Sequence, residues 1–420
     1  MCFIFVYHSK SWANIIISQN KILFINFLNW KILFTNFLNL IIFFIVNEQY
    51  HTSFFKIVMS SKIKEYAELQ NMILSIENDS EIDEIVDFVN NNSLLTNEEQ
   101  TFIMIKLIAS IASAKPNILD KICKLRDKLT FKEIKSTIYI DKIYDRNESD
   151  ITSFESILIN FLNQNNTESK LEEFKKHFLS TNDFTNAIDK DDIEKVQFLI
   201  SQNNIDLNKC LPFVFEHIFF EFKLLNPVEY AAFKGSINSF KYLLLNTKVI
   251  NYERLLECSV AGGNIEIIHI IENKHEKIYG NIKNNITLLY LAIEFMNNEL
   301  IEYIIETYEN EVDILCFIKC IEFSNYEAFL FLEYYDKYNE LIDMDDYNSV
   351  KTINIAAKKY SFVFYEYLFE KIKLRYKKKN NRIIYEYENK YKKMKKRFDR
   401  KIGISQESDE DEDYYENEYD

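Results

Sequence analysis

Apolar residues recur at every third or fourth position over most of the chain after residue 60. Ile63, Tyr66 and Ile73 share one face of a first predicted helix, and Ile82 and Val89 share one face of the next. No comparable run alternates apolar and polar residues in the manner of a strand. The pattern therefore predicts an all-α protein.

The same periodicity continues through a helical N-terminal region, which we place at residues 59–180. Thr96 followed by Glu99 indicates a capping box that opens an apolar helix over residues 102–112. Pro116 marks the end of that helix, and a further helix is predicted over residues 118–129.

One stretch, residues 226–246, reads as two helices joined by a tight turn: NPVEYAAFKGSINSFKYLLLN. Asn226 is a good N-cap residue, and Pro227 then occupies the first helical position, where a missing N–H is harmless. Glu229 stands where its carboxylate can accept a hydrogen bond from the backbone N–H of Asn226.

The rest of this stretch predicts how the two helices meet. Ala231 and Ala232 are small enough for another helix to approach closely, Gly235 tolerates a left-handed turn, and Ser236 can cap the second helix. That second helix has an apolar stripe made by Phe240, Leu243 and Leu244.

These residues resemble the ankyrin repeat, whose pattern is T-P-L-H-x-A-A followed by a glycine and paired leucines. Asn226 and Glu229 stand where the family has Thr and His. The resemblance implies a helix-turn-helix solenoid that binds other proteins and has no chemistry or cofactor of its own. The helical region before the repeats is similar to that of expanded protist ankyrin families.

Related stretches recur over residues 182–370. Alignment on Ala231 pairs it with Ala187, Ser259, Ala292, Cys320 and Ala356, and subtraction of residue numbers gives spacings of 44, 28, 33, 28 and 36. These spacings scatter around the family period of about 33 residues. We interpret the region as degenerate repeats. The first spacing contains an extra apolar segment, LPFVFEHIFFEFK, which is predicted to form its own helix.

The turn between the two helices of each repeat provides an internal check. The predicted N-caps of the second helices are Asp192, Ser236, Asn264, Asn297, Asn325 and Ser361. The preceding, left-handed position is occupied by Asp191, Gly235, Gly263, Met296, Ser324 and Tyr360. Met296 and Tyr360 are poor residues for that conformation, so their turns are expected to differ or to carry strain.

The chain ends in two segments of opposite charge. Residues 371–401 are basic and include KKK and KKMKKR, whereas residues 402–420 are acidic and are predicted to be disordered. Three interpretations of the basic segment stay open: a terminal helix that caps the last repeat, a bipartite nuclear import signal, and a nucleic-acid-binding segment.

Residues 1–58 differ from the rest, because they contain a near-exact tandem decapeptide and an apolar run over 32–46. This run of fifteen residues, which includes Asn36 and Asn39, falls short of the roughly 20 mostly apolar residues needed to span a membrane. Two interpretations stay open: a membrane anchor, or upstream sequence joined to the chain by an over-long gene model, with translation starting at Met59.

Composition and motifs argue against catalysis. Five glycines and three prolines leave little material for phosphate-binding loops, and no motif of a hydrolase, kinase or metalloprotease is present. Six cysteines include no C-x-x-C pair, and no histidine completes a metal set with Cys316 and Cys320. We predict that the protein is not an enzyme and needs no metal or cofactor.

The expected function is that of a non-catalytic adaptor or scaffold that binds another protein through the repeats. We expect partners to dock on the loops before the first helices, at residues 247–254, 279–285 and 341–349. The expected contact residues are Tyr252, Arg254, Tyr279 and Tyr347. The alternative is a nuclear or nucleic-acid-associated factor that uses residues 371–401. The expected location is cytoplasmic, nuclear if the import signal operates, and membrane-anchored only if residues 1–58 are expressed.

Overall fold

The computed structural model describes residues 61–129, 158–159, 161–164, 167–178, 182–211, 225–279, 284–335, 347–359, 361–376 and 381–401. Within these ranges the chain forms helices joined by turns, and no strand occurs among them. The prediction of an all-α protein is therefore confirmed. The leader 1–58, the acidic tail 402–420 and nearly all of the apolar segment 211–223 lie outside the described residues.

In the described part of the chain, five α-helices precede the region of predicted repeats. They are α1 (Ser61–Leu74), α2 (Asp79–Asn91), α3 (Glu98–Ala114), α4 (Leu119–Lys128) and α5 (Thr167–Phe178), with a 3-10 turn at Pro116–Ile118 between α3 and α4.

Six helix pairs follow in the described part of the chain, and one more helix follows them. The pairs are α6 (Asp183–Asp189) with α7 (Ile193–Asn203), α8 (Pro227–Phe233) with α9 (Ile237–Asn246), α10 (Tyr252–Gly262) with α11 (Ile265–Tyr279), α12 (Ile286–Glu294) with α13 (Ile301–Thr307), α14 (Ile314–Glu322) with α15 (Tyr326–Tyr335), and α16 (Tyr347–Lys358) with α17 (Phe362–Tyr376). The last helix is α18 (Asn381–Lys401).

The start of α8 forms the predicted capping box. The side chain of Asn226 accepts hydrogen bonds from the backbone N–H groups of Val228 and Glu229, at 3.1 and 3.0 Å. The Glu229 carboxylate accepts in return from the N–H of Asn226 at 2.9 Å, and Pro227 occupies the first turn. Three backbone N–H groups are thus satisfied within four residues, and Pro227 has no N–H to satisfy.

The cap predicted for α3 is wrong by one residue. Asn97, not Thr96, is the N-cap, and its side chain accepts from the N–H of Gln100 at 2.9 Å. Thr96 instead donates its own N–H to the Gln100 side chain at 2.7 Å. Sequence could not separate the two, because Thr and Asn both cap well and Glu99 and Gln100 both suit the third helical position.

The turns inside the pairs use the predicted left-handed position. The backbone φ angle is positive at Asp191, Gly235, Gly263, Met296 and Ser324, with values of 51°, 68°, 77°, 53° and 54°. Met296 therefore adopts the same left-handed conformation as the other turns, and its turn carries the strain expected of a non-glycine residue there. Tyr360 lies outside the described residues.

The caps of the second helices follow the prediction only in part. Asp192, Asn264 and Asn325 accept hydrogen bonds from backbone N–H groups of the helices that they open. Ser236 and Asn297 make no such side-chain bond, which corrects the prediction for both. The start of α9 is bonded instead by the carboxylate of Asp191, which accepts from the N–H groups of Asn238 and Ser239 at 3.1 and 2.8 Å.

The six aligned small residues form one buried column. Ala187, Ser259 and their counterparts are all 1% exposed or less, and Ala232, Leu243 and Leu244 beside them are also buried; the other counterparts are Ala231, Ala292, Cys320 and Ala356. The first helices α6, α8, α10, α12, α14 and α16 pack side by side in chain order, each against the next. Small residues at the contact permit this close approach, which explains why the column tolerates Ser and Cys but no bulky residue.

The N-terminal and C-terminal helices meet at the last pairs. Helix α1 packs against α15 and α17, and α18 packs against α16 and α17. Phe398 of α18 is fully buried, with ring centroids 5.1 Å from Phe102 of α3 and 5.0 Å from Phe362 of α17. Segments that lie far apart in sequence therefore share one core.

Candidate partner-binding face

The turns of the last three pairs form an edge that the N-terminal helices cover. Gln70 of α1 accepts from the N–H groups of Tyr326 and Glu327 at 2.9 and 3.3 Å, and donates to the side chain of Asn325 at 3.0 Å. Gln70 and Asn325 are both completely buried. The start of α15 is thus capped by a residue that lies 255 positions away in sequence.

Two lysines of the same region reach the neighbouring turns. The ammonium group of Lys106 in α3 donates to the carbonyl of Lys359 at 3.2 Å and to the hydroxyl of Ser361 at 3.0 Å. Lys115, which follows α3, donates to the side-chain oxygen of Asn297. Burial lowers the pKa of Lys115, although the charge of Glu299 opposes that shift. The turn edge from Asn297 to Ser361 is therefore occupied by the chain itself.

Asparagine side chains connect successive pairs, a role that the sequence analysis missed. The side-chain amide of Asn264 donates to the carbonyl of Gly235 at 2.9 Å. Asn297 donates to Val260 and Ala261 at 2.7 and 2.9 Å, and Asn325 donates to Ile293 at 2.9 Å. The sequence does place Asn in three consecutive turns. This pattern could have indicated the role, because a side-chain amide can accept from its own helix and also donate to the previous pair.

Opposite-charge and polar contacts join neighbouring first helices on another side of the array. The guanidinium of Arg254 lies 3.4 Å from the carboxylate of Glu229, and Lys319 lies 3.5 Å from Glu294. The hydroxyl of Tyr290 donates to the carboxylate of Asp313 at 2.6 Å. These contacts cross from α8 to α10 and from α12 to α14. We call the surface that they mark the first-helix face.

Apolar side chains lie at equivalent positions of this face. Leu315 stands five residues before the aligned small residue of its helix, as Arg254 does in α10. Ile286 and Ile314 stand one residue earlier, where α10 has Glu253. Leu315 is 41% exposed, and the two isoleucines are half-buried. At these two positions, the side chains therefore change from charged on α10 to apolar on α14.

The residues predicted to contact a partner lie at helix ends rather than in loops. Tyr252 is the first residue of α10, and it and Arg254 are half-buried. Arg254 contributes to the first-helix face through its contact with Glu229. Tyr279 ends α11 and Tyr347 begins α16, but the side chains of both lie outside the described residues. The expected loop from 247 to 254 therefore ends at Asn251, where α10 is capped.

Glu229 belongs both to the capping box of α8 and to the first-helix face. Burial raises the pKa of this carboxyl, while the N–H of Asn226 and the charge of Arg254 act in the opposite direction. The side chain of Glu229 is 9% exposed. Its hydrogen bond and its cationic neighbour offset the cost of placing the carboxylate there.

Four of the five cysteines in the described region are buried, and Cys210 is exposed. Cys258, Cys316 and Cys320 are fully buried, and burial raises the pKa of each thiol well above its usual value. A thiol held protonated in this way is a poor nucleophile and a poor metal ligand. Across the described residues, no three His, Cys, Asp or Glu side chains cluster as a metal site would require.

Residues 371–376 of the basic segment are the end of α17, and residues 381–401 form the amphipathic helix α18. Tyr387, Met394 and Phe398 of α18 are buried. Lys392 and Lys396 are exposed, one turn apart. Lys395 pairs with Glu99 of α3 at 3.0 Å. The cluster KKK at 377–379, which would form the first half of an import signal, lies outside the described residues.

Among the described residues, no single helix has the length and apolar character of a membrane span. The bent pair Glu98–Ala114 and Pro116–Lys128 meets the requirement only when its two parts, which meet at 115°, are taken together. Residues 101–112 of this pair are all buried inside the fold.

The described helices define an all-α protein built from helix pairs that pack side by side. Residues 245–332, which extend from the end of α9 into α15, match the family model described as a domain of unknown function, DUF3447. No curated protein matches the chain, and no solved structure matches it.

Proposed function

We propose that the protein is a non-catalytic scaffold of the ankyrin-repeat type, which binds a segment of another protein on its first-helix face. The resemblance of residues 226–246 to the ankyrin repeat supports the class, as do the buried column of small residues and the recurring left-handed turns. Stacked repeats of this kind present an extended surface rather than a pocket.

The observation that carries the proposal is the contrast between two sides of the array. The turn edge from Asn297 to Ser361 is already bonded to Gln70, Lys106 and Lys115. The first-helix face keeps apolar side chains accessible, and Leu315 is the most exposed of them. Apolar anchors surrounded by polar groups are typical of the centre of a protein interface.

Substitution of Leu315 by lysine tests the proposal. The Leu315→Lys variant places a charge in the apolar part of the first-helix face and should abolish capture of the partner, whereas the fold should persist because the residue is already 41% exposed. Leu245→Lys is the matched control, since Leu245 is 80% exposed on the second helix α9. Affinity capture with the full chain, followed by mass spectrometry, provides the readout.

The two variants should give different sets of captured proteins. A partner present with wild type and Leu245→Lys but absent with Leu315→Lys supports the first-helix face. If every captured protein is retained by Leu315→Lys, the proposed face is wrong. Circular dichroism and a thermal melt of each variant establish that the fold is intact.

The second candidate is a nuclear or nucleic-acid-associated function of α18. It is favoured by the exposure of Lys392, Lys396 and Arg397 on a helix whose apolar side chains are buried. A basic surface of this kind attracts polyanions whether or not it evolved to bind one. The salt dependence of binding, described in the Discussion, distinguishes the two cases.

A further inference from the structure

We infer that the partner segment recognised by the first-helix face is basic and has an aliphatic or aromatic anchor. This inference rests on the proposed function and adds the chemistry of the ligand. It follows from the balance of charges on α10, α12 and α14 and from the position of Leu315 beside them.

Charged side chains on these three helices are mostly acidic. Together with the cap residue Asp313, the helices carry five carboxylates and two cations; the carboxylates belong to Glu253, Glu257, Glu294, Asp313 and Glu322. Glu253 is exposed, and the other four are half-buried. These three helices together with Asp313 therefore have a net negative charge of 3, the difference between these two counts.

Both cations of the face already have acidic neighbours on it. Arg254 contacts Glu229, and Lys319 contacts Glu294 while its ammonium group lies 5.2 Å from the ring centroid of Phe323. The positive charges that would serve an acidic ligand are thus engaged between first helices. An incoming carboxylate would meet mainly carboxylates, and like charges brought together at an interface oppose binding.

The apolar part of the face supplies the anchor site. Ile314 on α14 and Ile286 on α12 lie at equivalent positions of adjacent helices, and Leu315 follows Ile314. An aliphatic or aromatic side chain that covers them would remove apolar surface from water, which is the main favourable contribution at the centre of an interface. Glu322 on α14 and Glu253 on α10 can then attract flanking lysines or arginines.

The dimensions of the face set the length of the segment. Packed helices lie about 8–10 Å apart, so the axes of α10 and α14, two helix spacings apart, are separated by roughly 20 Å. An extended chain covers that distance with about six residues. A short linear segment therefore suffices to contact the apolar and the acidic parts of the face together.

The test uses the full-length chain and a displayed library of random peptides, each of about twelve residues, twice the required reach. Selected peptides should carry a net positive charge and at least one Leu, Ile, Phe or Met. Fluorescence anisotropy of a labelled selected peptide then gives its affinity, which should fall as salt rises because the flanking contacts are electrostatic.

Two sets of variants separate the inference from the proposed function. Glu253→Lys combined with Glu322→Lys should weaken peptide binding by at least about tenfold, since two favourable charges become unfavourable. The control combines Glu276→Lys with Glu302→Lys, which makes the same charge change at exposed positions of the second helices α11 and α13. It should leave the affinity for the peptide within about twofold of wild type.

The outcomes lead to different conclusions. Peptides that require Leu315 but are neutral or acidic, and that bind the Glu253→Lys, Glu322→Lys variant normally, would overturn the basic ligand and leave the proposed face intact. Peptides that bind Leu315→Lys as well as wild type, or a selection that enriches none, would overturn both. The salt dependence of wild-type binding needs no variant, so loss of folding in a mutant cannot obscure the result.

Discussion

At the scale of single residues, the first helices α8 and α10 approach each other closely at Gly262, the last residue of α10. A Cβ atom built at this glycine would lie 2.6 Å from the carbonyl oxygen of Phe233 and closer still to that of Ala232, both in α8. Backbone atoms cannot move aside as a flexible side chain can. The absence of a side chain at Gly262 therefore sets the distance between α8 and α10.

Replacement of Gly262 by alanine should destabilise the protein, although the same change usually stabilises a helix. In an unhindered helix Gly→Ala stabilises by roughly 0.5–1 kcal/mol, but here the new methyl group should overpack the contact and lower the free energy of unfolding by about 1–3 kcal/mol. Urea denaturation measures the difference. An increase in stability would show that α8 and α10 do not approach as closely as described.

Substitution of Ala231 in α8 provides a second test of how closely the first helices pack. It is fully buried in the column of small residues, so Ala231→Leu should lower the free energy of unfolding by about 1–3 kcal/mol. Glu276→Leu is the control, because the residue is exposed on α11 and the change should stay within about 0.5 kcal/mol. An unchanged denaturation midpoint for Ala231→Leu would contradict the repeat alignment itself.

At the scale of elements, α18 is held by its apolar side chains rather than by its charges. Phe398 is fully buried between Phe102 and Phe362, and the hydroxyl of Tyr365 in α17 donates to the carbonyl of Tyr387 at 2.8 Å. The Lys395–Glu99 pair has a half-exposed lysine, so solvent screens it and it contributes little. The helix thereby covers the end of the last pair, as one interpretation of the basic segment predicted.

Removal of the Phe398 ring should release α18 from this position. Phe398→Ala should lower the free energy of unfolding by about 3–5 kcal/mol, the usual range for a buried phenylalanine. Tyr385→Ala on the same helix is the matched control, since Tyr385 is 64% exposed and its loss should cost less than about 0.5 kcal/mol. Equal effects of the two substitutions would mean that α18 is not part of the core.

At the scale of the whole molecule, charge is distributed unevenly over a chain whose net charge is −15. The first-helix face and the sequence 402–420 are acidic, whereas the exposed side of α18 carries Lys392, Lys396 and Arg397. Each surface therefore attracts a different kind of partner. Their responses to salt should differ accordingly, because a wholly electrostatic contact is weakened most.

Nucleic acid should bind the protein weakly and without sequence preference. We expect affinity for a labelled single-stranded oligonucleotide to fall steeply between about 50 and about 200 mM salt, as counterion release requires. Lys392→Glu with Lys396→Glu should reduce this binding further, and deletion of residues 406–420 should strengthen it by removing a competing polyanion. A tight, sequence-selective complex that survives about 200 mM salt would favour the second candidate function instead.

The sequence by itself determined the helices and the turns between the paired helices. The capping box at Asn226 and Glu229 is readable because it depends on residues within four positions of each other. The left-handed turn at Met296 was located by alignment, although nothing local favours it there. Local rules located these features because local hydrogen bonds and backbone sterics form them.

Only the tertiary structure decided which surfaces of the array are covered and which stay open. Gln70 caps α15 across 255 residues of sequence, and Lys115 reaches Asn297 across 182. Neither contact has a local pattern, since Gln70 and Lys115 look in sequence like any other polar residues. The exposed position of Leu315 on a face that also carries carboxylates of α10 and α14 likewise results from packing between helices. Long-range packing is decided by the fit of whole elements, and the spacing of residues along the chain does not encode it.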